Sequence, residues 1–261
     1  MMLTIDRYLR AASLEEAYEA VQKKNSAVLG GMLWLRMSNR HITTAIDLSD
    51  LGLDSIEETD TCYRIGAYTT LRTLERHEGL HAAFGGVLRD AFSAIVGVQF
   101  RNLATVGGSL FGRFGFSDPV TVFLALGASV ELYRGGTVTL EEFCKMGKVK
   151  DILTHVILPK RALRVSYQAH RNSATDFPSL NVCAVRTENE VTVTVGARPL
   201  RAVIYRFAPG DVADTAQIAG QIAEKTVFAS NNRASEEYRR HLCRVLTRRA
   251  LQNIMDGKER E

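Results

Sequence analysis

The spacing of hydrophobic residues predicts alternating helices and strands in the first half of the chain. Ser13 and Glu16 stand three apart, as in a helix-capping box, and apolar residues then recur at helical spacing, which predicts a helix over 13–23. Further helices are predicted to open near Thr70 and to span about 80–95. Short apolar runs predict strands at "AVLGG" (27–31), "TAIDL" (44–48) and "YRIGA" (63–67). These strands lie too close together for simple strand–helix–strand units.

The second half of the chain changes to alternating strand patterns. Strands are predicted at "GASVELY" (127–133) and "HVILP" (155–159), and Pro159 followed by two basic residues predicts a domain boundary near 160. Three further strands follow at "LNVCAVR" (180–186), "EVTVTVGA" (190–197) and "AVIYRF" (202–207). Two helical segments come last, the second from Ser235. This region is predicted to be an antiparallel sheet with helices on one side.

Two glycine pairs, Gly30-Gly31 and Gly107-Gly108, are each predicted to follow a short apolar strand. Glycine permits positive φ and lets backbone N–H groups approach a ligand, as in phosphate-binding turns. A single pair more often marks an ordinary tight turn, and neither pair matches the dinucleotide fingerprint or the P-loop. Thr105 and Ser109 flank the second pair with hydroxyls, and Asp118 follows. Together these residues predict a pocket in which two turns bracket one diphosphate.

Four segments in order and spacing resemble a known family: "AVLGGMLWLRM", "YRIGAYTTLRTLE", "VGVQFRNLATVGGSL" and "GFSDPVTVFLALGASVEL". They are similar to the flavin-binding subunit of the molybdenum hydroxylases, the xanthine dehydrogenase and carbon monoxide dehydrogenase group. The C-terminal "ASEEYRRHLCRVLTRRAL" resembles that subunit's closing helix. The resemblance implies an α+β fold. A two-part FAD-binding domain of the vanillyl-alcohol-oxidase/PCMH type would occupy 1–160, split near 55, and a C-terminal domain of the CO dehydrogenase flavoprotein type would occupy 161–261.

The resemblance also implies FAD as cofactor and a set of residues that bind it. The first binding segment corresponds to Leu29, Gly30, Gly31, Met32, Leu33 and Trp34, and the second to Thr105, Val106, Gly107, Gly108 and Ser109. Asp118 matches an acid that helps to hold the cofactor, while Ile95 and Leu153 match positions near the flavin ring.

This sequence departs from the family pattern at three places. The first segment usually reads Gly-Gly-Thr followed by a polar residue, so Met32 and Leu33 lack a hydroxyl donor. "SYQAHR" (166–171) stands where many relatives carry a lysine, which leaves Gln168 and Arg171 as the nearest polar candidates, and Arg113 has no counterpart. Trp34, the only tryptophan, is interpreted as core or interface packing rather than a flavin stack.

The implied function is electron transfer as one subunit of a heteromeric enzyme. FAD would accept electrons from a 2Fe–2S small subunit and pass them to NAD, with ferredoxin or quinone as other acceptors, while a molybdopterin-binding large subunit oxidises the substrate. No catalytic residue is predicted in this chain. The main alternative is a flavin-free scaffold with a degenerate site. A cell-wall precursor reductase is disfavoured because no matching serine or cysteine and glutamate arrangement is found.

Composition and charge fit a globular protein, with 46% hydrophobic and 24% charged residues and a net charge of +4. No nucleic acid partner is predicted, since the basic cluster near the C-terminus lacks aromatic interleaving and is interpreted as a solvated or partner-facing helix face. The four cysteines are expected to be reduced thiols, and His77 and His81 to be surface residues, so no metal site is predicted. No segment reaches membrane-spanning length, and a cytoplasmic location is expected.

Overall fold

A computed structural model of the chain describes residues 2–256 and divides them into two compact units. The first unit contains residues up to Leu74, Val98–Gly112 and Ala128–Pro159, and the second contains Glu75–Gly97, Arg113–Gly127 and residues from Lys160 onward. The predicted domains, 1–160 with a split near 55 and 161–261, stay a prediction. Their outermost ends, residue 1 and residues 257–261, lie outside the described residues.

Strands and helices follow one another in groups along the described chain. The strands are β1 (Thr4–Arg10), β2 (Ser26–Val28), β3 (His41–Asp47), β4 (Ile56–Glu58), β5 (Cys62–Gly66), β6 (Ser129–Leu132), β7 (Gly136–Thr139), β8 (Leu153–Pro159), β9 (Arg164–Arg171), β10 (Pro178–Arg186), β11 (Val191–Gly196) and β12 (Val203–Phe207). The helices are α1 (Leu14–Gln22), α2 (Leu71–Arg76), α3 (Glu78–Ala83), α4 (Val87–Phe92), α5 (Val98–Leu103), α6 (Val106–Gly112), α7 (Asp118–Ala125), α8 (Leu140–Lys145), α9 (Thr215–Lys225) and α10 (Glu236–Asp256). Leu35–Met37 and Pro209–Val212 form short 3-10 turns.

Most predicted elements are present, and the capping box at the start of α1 is confirmed. The Ser13 hydroxyl accepts the Glu16 N–H at 3.1 Å, and the Glu16 carboxylate accepts the Ala12 N–H at 2.8 Å. The single helix predicted over about 80–95 is wrong. Gly85 and Gly86 lie at φ of 55° and 71°, outside the helical region, so the chain breaks there into α3 and α4.

The first unit contains two sheets. A parallel sheet of order β1-β3-β2 packs against α1 through a cluster that includes Ala17, Ala20 and Ile46. An antiparallel sheet of order β4-β5-β8-β6-β7 buries alternating residues such as Ile65 and Val156. The first glycine pair therefore follows the end of β2, at the edge of the parallel sheet.

The second unit contains an antiparallel sheet of order β12-β11-β10-β9 that is covered on both faces. Val191, Val193 and Val195 lie on one face as predicted and share a buried cluster with α9 and α10. On the opposite face, Asn181 accepts the Thr121 hydroxyl of α7 at 3.0 Å. The two helices of the C-terminal region, α9 and α10, thus lie on one side of the sheet as predicted, whereas α7, from an earlier part of the chain, packs against the second face and was not expected there.

The basic residues near the C-terminus do not all face solvent, which corrects their interpretation. Arg239 is 1% exposed and donates to the carbonyls of Ser179, Ala229 and Ala234 at 2.6–2.9 Å. It therefore links the start of α10 to β10. Arg244, by contrast, lies at the surface and pairs with Glu224.

The remaining sequence expectations concern thiols, metals and membranes. All four cysteines are free, and three of them are buried while Cys62 is half-buried. Within residues 2–256, no group of three His, Cys, Asp or Glu side chains is arranged to hold a metal ion. None of the helices in that range combines the length and the hydropathy needed to cross a membrane.

Candidate functional site

The two glycine pairs lie side by side in the first unit. The chain leaves β2 with the Leu29 N–H donating to the Ile46 carbonyl at 2.7 Å. A Cβ added to Gly30 would lie 2.9 Å from the Thr105 hydroxyl oxygen and 3.5 Å from the Gly108 Cα. The structure thus brings the two predicted binding segments into direct contact.

Close packing, rather than backbone conformation, requires glycine at these turns. A Cβ on Gly31 would lie 1.9 Å from the Leu103 carbonyl oxygen, and one on Gly107 would lie 2.7 Å from the Ala67 carbonyl oxygen. Neither pair adopts positive φ, so the expectation that these glycines supply it is wrong. The left-handed residue of the first turn is instead Met32, at φ 58°.

The first turn presents a row of unused hydrogen-bond donors. Among residues 2–256, no group accepts the N–H of Gly30, Gly31, Met32 or Leu33. All four residues are half-buried, so these donors are only partly hydrated. Successive backbone N–H groups that converge in a turn form an anion-binding concavity. The predicted diphosphate contact therefore has a physical basis here, although Met32 and Leu33 contribute no hydroxyl.

Tyr68, which was not predicted from the sequence as a site residue, anchors the first turn through hydrogen bonds. Its hydroxyl donates to the Leu29 carbonyl and accepts the Leu48 N–H at 3.0 Å. Burial raises the pKa of Tyr68 to about 12, so the phenol remains a donor at neutral pH. No sequence motif marks Tyr68, because its role depends on the fold that brings residues 29, 48 and 68 together.

The second turn uses its N–H groups within the protein, contrary to expectation. The N–H of Val106 donates to the Thr69 carbonyl at 2.9 Å, and that of Gly107 to the Ala67 carbonyl at 2.8 Å. The N–H of Gly108 donates to the Thr105 hydroxyl at 3.1 Å, and that of Ser109 to the Thr105 carbonyl at 3.0 Å. The pair follows helix α5 and lies in the first turn of α6, so the prediction of a preceding strand is also wrong.

What the second turn offers to a ligand is one hydroxyl. The Thr105 hydroxyl accepts from Gly108, but within the described chain nothing accepts its own proton. Its oxygen faces Gly30 of the first turn. The Ser109 hydroxyl donates to the Thr105 carbonyl at 2.8 Å. Thr105 is therefore the side-chain donor best placed to join the row of N–H groups.

Trp34 and Leu153 also belong to the first unit. The half-buried Trp34 ring meets Phe100 edge-on, with centroids 5.9 Å apart, which agrees with its interpretation as a packing residue. Leu153 is 6% exposed at the start of β8. The adjoining Thr154 carbonyl accepts the Ala67 N–H at 2.8 Å, and Ala67 in turn accepts from Gly107. Leu153 is thus part of the framework that holds the second turn.

Asp118 and Ile95 lie in the second unit. Asp118 is 4% exposed in the first turn of α7, where its carboxylate accepts the Tyr167 hydroxyl and the Asn181 amide at 2.8 Å. Arg171 pairs with the same carboxylate at 3.0 Å. Burial raises the pKa of Tyr167 well above its ordinary value. Within its unit, Asp118 is therefore the acceptor at the centre of a buried polar network.

Arg171 and Gln168, the polar residues nearest to the position where many relatives carry a lysine, both form hydrogen bonds or ion pairs within the protein. Arg171 pairs with Asp118 and donates to the Asp176 carbonyl at 2.7 Å, and the Gln168 amide donates to the Ser166 hydroxyl at 3.2 Å. The two histidines are likewise structural. The His77 ring accepts the Leu80 N–H at the start of α3, and His81 contacts the Glu75 carbonyl at 2.7 Å.

Solved structures share the fold of this chain. Quinoline 2-oxidoreductase from Pseudomonas putida 86 superposes with a TM-score of 0.85 at 18% identity, over 99% of this chain and 98% of that one. A carbon monoxide dehydrogenase chain from Hydrogenophaga pseudoflava gives 0.86 at 18% identity, over 98% and 99%. At this level of identity the likeness establishes the fold, a two-part FAD-binding α+β architecture followed by an antiparallel sheet with helices.

The family follows from the sequence itself. Residues 3–161 match the family of the FAD binding domain in molybdopterin dehydrogenase, so the chain belongs to that family, and the prediction of FAD is confirmed. The nicotine 6-hydroxylase medium subunit of Paenarthrobacter nicotinovorans is 25% identical over 279 residues, 96% of this chain and 98% of that protein. The xanthine dehydrogenase FAD-binding subunit of Escherichia coli O157:H7 is 27% identical over 282 residues, 96% of each.

A third relative matches over a shorter segment. The uncharacterized protein YgfM of Escherichia coli K12 is 28% identical over 160 residues, and this segment spans 59% of each protein.

The unused N–H groups of the first turn fit the FAD that the family binds. The diphosphate of FAD accepts hydrogen bonds and carries negative charge.

Proposed function

We propose that this chain is the flavoprotein subunit of a heteromeric, xanthine dehydrogenase-like molybdenum hydroxylase. Its FAD would receive electrons from an iron–sulfur subunit and pass them to NAD or another acceptor. The observation that carries the proposal is the row of unused N–H groups from Gly30 to Leu33, in a chain whose residues 3–161 match the FAD-binding family. When bound, FAD stores two electrons and releases them to an acceptor.

The residues of this chain would bind and orient the cofactor rather than take part in bond chemistry. Gly30 to Leu33 would donate N–H groups to the diphosphate, and Thr105 would add its hydroxyl. Tyr68 holds the turn in place through Leu29. The remaining residues proposed to contact FAD are Leu29, Trp34, Ile95, Val106, Gly107, Gly108, Ser109, Asp118 and Leu153.

The proposed partners are a molybdopterin-binding large subunit and an iron–sulfur small subunit, in a cytoplasmic complex. Two relatives carry the names "medium subunit" and "FAD-binding subunit", which supports an assembly of several chains. Co-purification of the tagged chain from its own host tests this proposal. Recovery of molybdenum and 2Fe–2S centres in stoichiometric amounts is expected, and a chain recovered alone at native expression would contradict it.

Cofactor choice tests the role of the diphosphate. The purified chain is expected to be yellow, and the apoprotein to rebind FAD. FMN and riboflavin lack the diphosphate and should bind at least about tenfold more weakly, since charge-assisted hydrogen bonds are lost. A colourless chain that takes up no FAD would support the flavin-free scaffold instead. Equal binding of FAD and riboflavin would contradict the diphosphate role of the first turn.

The electron acceptor is tested separately, by running the reaction backwards. NADH added without oxygen to the FAD-loaded chain should bleach the flavin absorbance if NAD is the physiological acceptor. Reduced ferredoxin and a quinol serve as the two comparison donors. Bleaching by one of these and none by NADH would replace NAD in the proposal without affecting the FAD site.

A further inference from the structure

A small cleft in the second unit lies outside every residue so far proposed to bind FAD. Its volume is about 190 Å³, and its lining includes Gly115, Phe116, Phe177, Asn231, Arg233 and Arg239. A cavity of ~150 Å³ holds one benzene molecule. The cleft therefore has room for a single aromatic ring with one or two small substituents.

Aromatic rings form one wall of the cleft. Phe116 stacks on Phe114 with centroids 5.2 Å apart and an interplanar angle of 10°, and it meets Phe177 at 4.7 Å. Gly115 permits this arrangement, because a Cβ there would lie 2.8 Å from the Leu200 carbonyl oxygen. Phenylalanine faces of this kind bind flat rings by stacking or edge contact.

Cationic and polar groups also line the cleft. The Arg233 guanidinium carbon lies 4.8 Å from the centre of the Phe177 ring, and its Nη2 lies 3.3 Å from the Asp176 carboxylate. Among the described residues, no group accepts from Nη1 or Nε of Arg233 or from the side-chain amide of Asn231. Two polar side chains on the cleft thus retain unused donors.

Among the described residues, the lining of the cleft includes two arginines and no acidic side chain. Arg239 lies behind Asn231, whose amide oxygen accepts from it at 2.7 Å. Burial lowers the pKa of Arg239, and the positive charge of Arg233 lowers it further, so the two guanidinium groups repel each other. Asp176 offsets only one of these two charges. An anion bound beside Arg233 would relieve the repulsion.

We propose that this cleft binds a small aromatic carboxylate, with its ring against Phe116 and Phe177 and its carboxylate on Arg233 and Asn231. A ring without charge would leave the arginine donors unused, and an anion without a ring would gain no contact with the phenylalanine rings. The combination of aromatic and cationic lining residues therefore selects a ligand that carries both features. A nucleotide shares these features but exceeds the volume of the cleft.

Calorimetric titration of the FAD-loaded chain with benzoate tests the proposal. Benzamide keeps the ring without the charge, and acetate keeps the charge without the ring, so both should bind at least about tenfold more weakly. Saturation-transfer NMR should place the benzoate ring protons against the protein. Equal binding of all three compounds would overturn the proposal. Stronger binding of AMP than of benzoate, with competition between them, would also overturn it in favour of a nucleotide.

Variants locate the binding site. Arg233→Gln should weaken benzoate binding about tenfold, whereas Asp176→Asn should tighten it, because the carboxylate that competes for Arg233 is removed. Arg248→Gln, on an exposed part of α10, is the matched control and should change nothing. Tightening in Asp176→Asn cannot come from loss of folding, so it keeps the test decisive if Arg233→Gln is unstable. Unchanged affinity in both variants would overturn the assignment, as would displacement of benzoate by FAD.

Discussion

The two glycine turns of the first unit look alike in sequence but are anchored in opposite ways. The first turn is held through its carbonyls, since Leu29 accepts from Tyr68 and Met32 accepts from the Arg36 N–H at 2.9 Å. Its N–H groups are left available. The second turn is held through the N–H groups of Val106 to Ser109, which donate within the protein. A glycine pair therefore shows where chains approach closely, while the anchoring decides which turn can bind an anion.

This difference also gives the two turns different proposed roles: the first turn would bind the diphosphate, and the second turn would support the first. In the proposed site, the first turn would donate hydrogen bonds to the diphosphate, whereas the second turn brings Thr105 and Gly108 against Gly30 of the first turn. Loss of either turn should affect cofactor binding, but through different routes. Variants in which unfolding free energy and FAD affinity are measured separately can therefore test the comparison between the two turns.

The largest effect is expected from Gly31→Ala. Its Cβ would lie 1.9 Å from the Leu103 carbonyl oxygen, a backbone atom that cannot move aside without shifting the α5 segment. We expect a loss of unfolding free energy of about 3 kcal/mol or more, or failure to fold, because overpacking against backbone is poorly relieved. Urea unfolding of the apoprotein measures it.

The matched control for this substitution is Gly220→Ala. Gly220 lies inside α9, and within the described chain no atom outside its own helix backbone lies within 4 Å of an added Cβ. Alanine should therefore stabilise the helix by about 0.5–1 kcal/mol. A Gly31→Ala chain as stable as the parent would show that the two turns pack more loosely than described.

A smaller effect is expected from Tyr68→Phe, which removes the anchor of the first turn. The Leu48 N–H loses its acceptor and the Leu29 carbonyl loses its donor, so we expect a loss of about 1–2 kcal/mol at pH 8. The folded-state pKa of Tyr68, about 12, is raised above the ordinary value of 10.0. This contribution is therefore fully present below pH 10 and is lost as pH rises from 10 to 12.

Urea unfolding at pH 8 and pH 11 measures the difference between the parent and Tyr68→Phe. The difference should shrink at the higher pH. Tyr18→Phe is the control, because no described group forms a hydrogen bond with the Tyr18 hydroxyl. A difference that is constant from pH 8 to pH 11 would mean that Tyr68 does not anchor the turn through its proton.

Local patterns predicted much of this architecture because they depend on neighbouring residues. The capping box at Ser13 and the strand that leads to Gly30 are of this kind. The use of each N–H group in the two turns could not be predicted, because it depends on Ala67, Thr69 and Tyr68, which reach the turns only in the folded chain. The same reason explains why Tyr68 was missed.

Long-range packing in the second unit likewise could not be predicted from the sequence. Asp118 was predicted as a cofactor ligand from its motif, but no pattern indicated that Tyr167 and Asn181 would donate to it. Helix α7 was not expected against the sheet, because it comes from a segment more than fifty residues before β10. Arg239 is interpreted from sequence as part of a solvated or partner-facing helix face, because its carbonyl partners lie outside α10, in β10 and in the loop before α10.

Thr105→Val is expected to have the smallest effect on stability but a clear effect on FAD affinity. Valine leaves the Gly108 N–H without its acceptor, yet Gly108 is exposed and water can replace the hydroxyl, so the stability loss should be only about 0.5–1 kcal/mol. The hydroxyl itself, whose oxygen faces Gly30, is lost as well. FAD affinity should fall about tenfold, since a hydrogen bond to a charged group contributes more than a neutral one.

Thr105→Ser and Thr137→Val complete this test. Serine keeps the hydroxyl and should restore FAD affinity, and Thr137, exposed on β7, is a threonine whose loss should affect neither quantity. Titration of each apoprotein with FAD, beside its urea unfolding curve, separates binding from stability. If Thr105→Val lowered stability and left FAD affinity unchanged, the second turn would serve only to support the first. The whole diphosphate would then depend on the four N–H groups from Gly30 to Leu33.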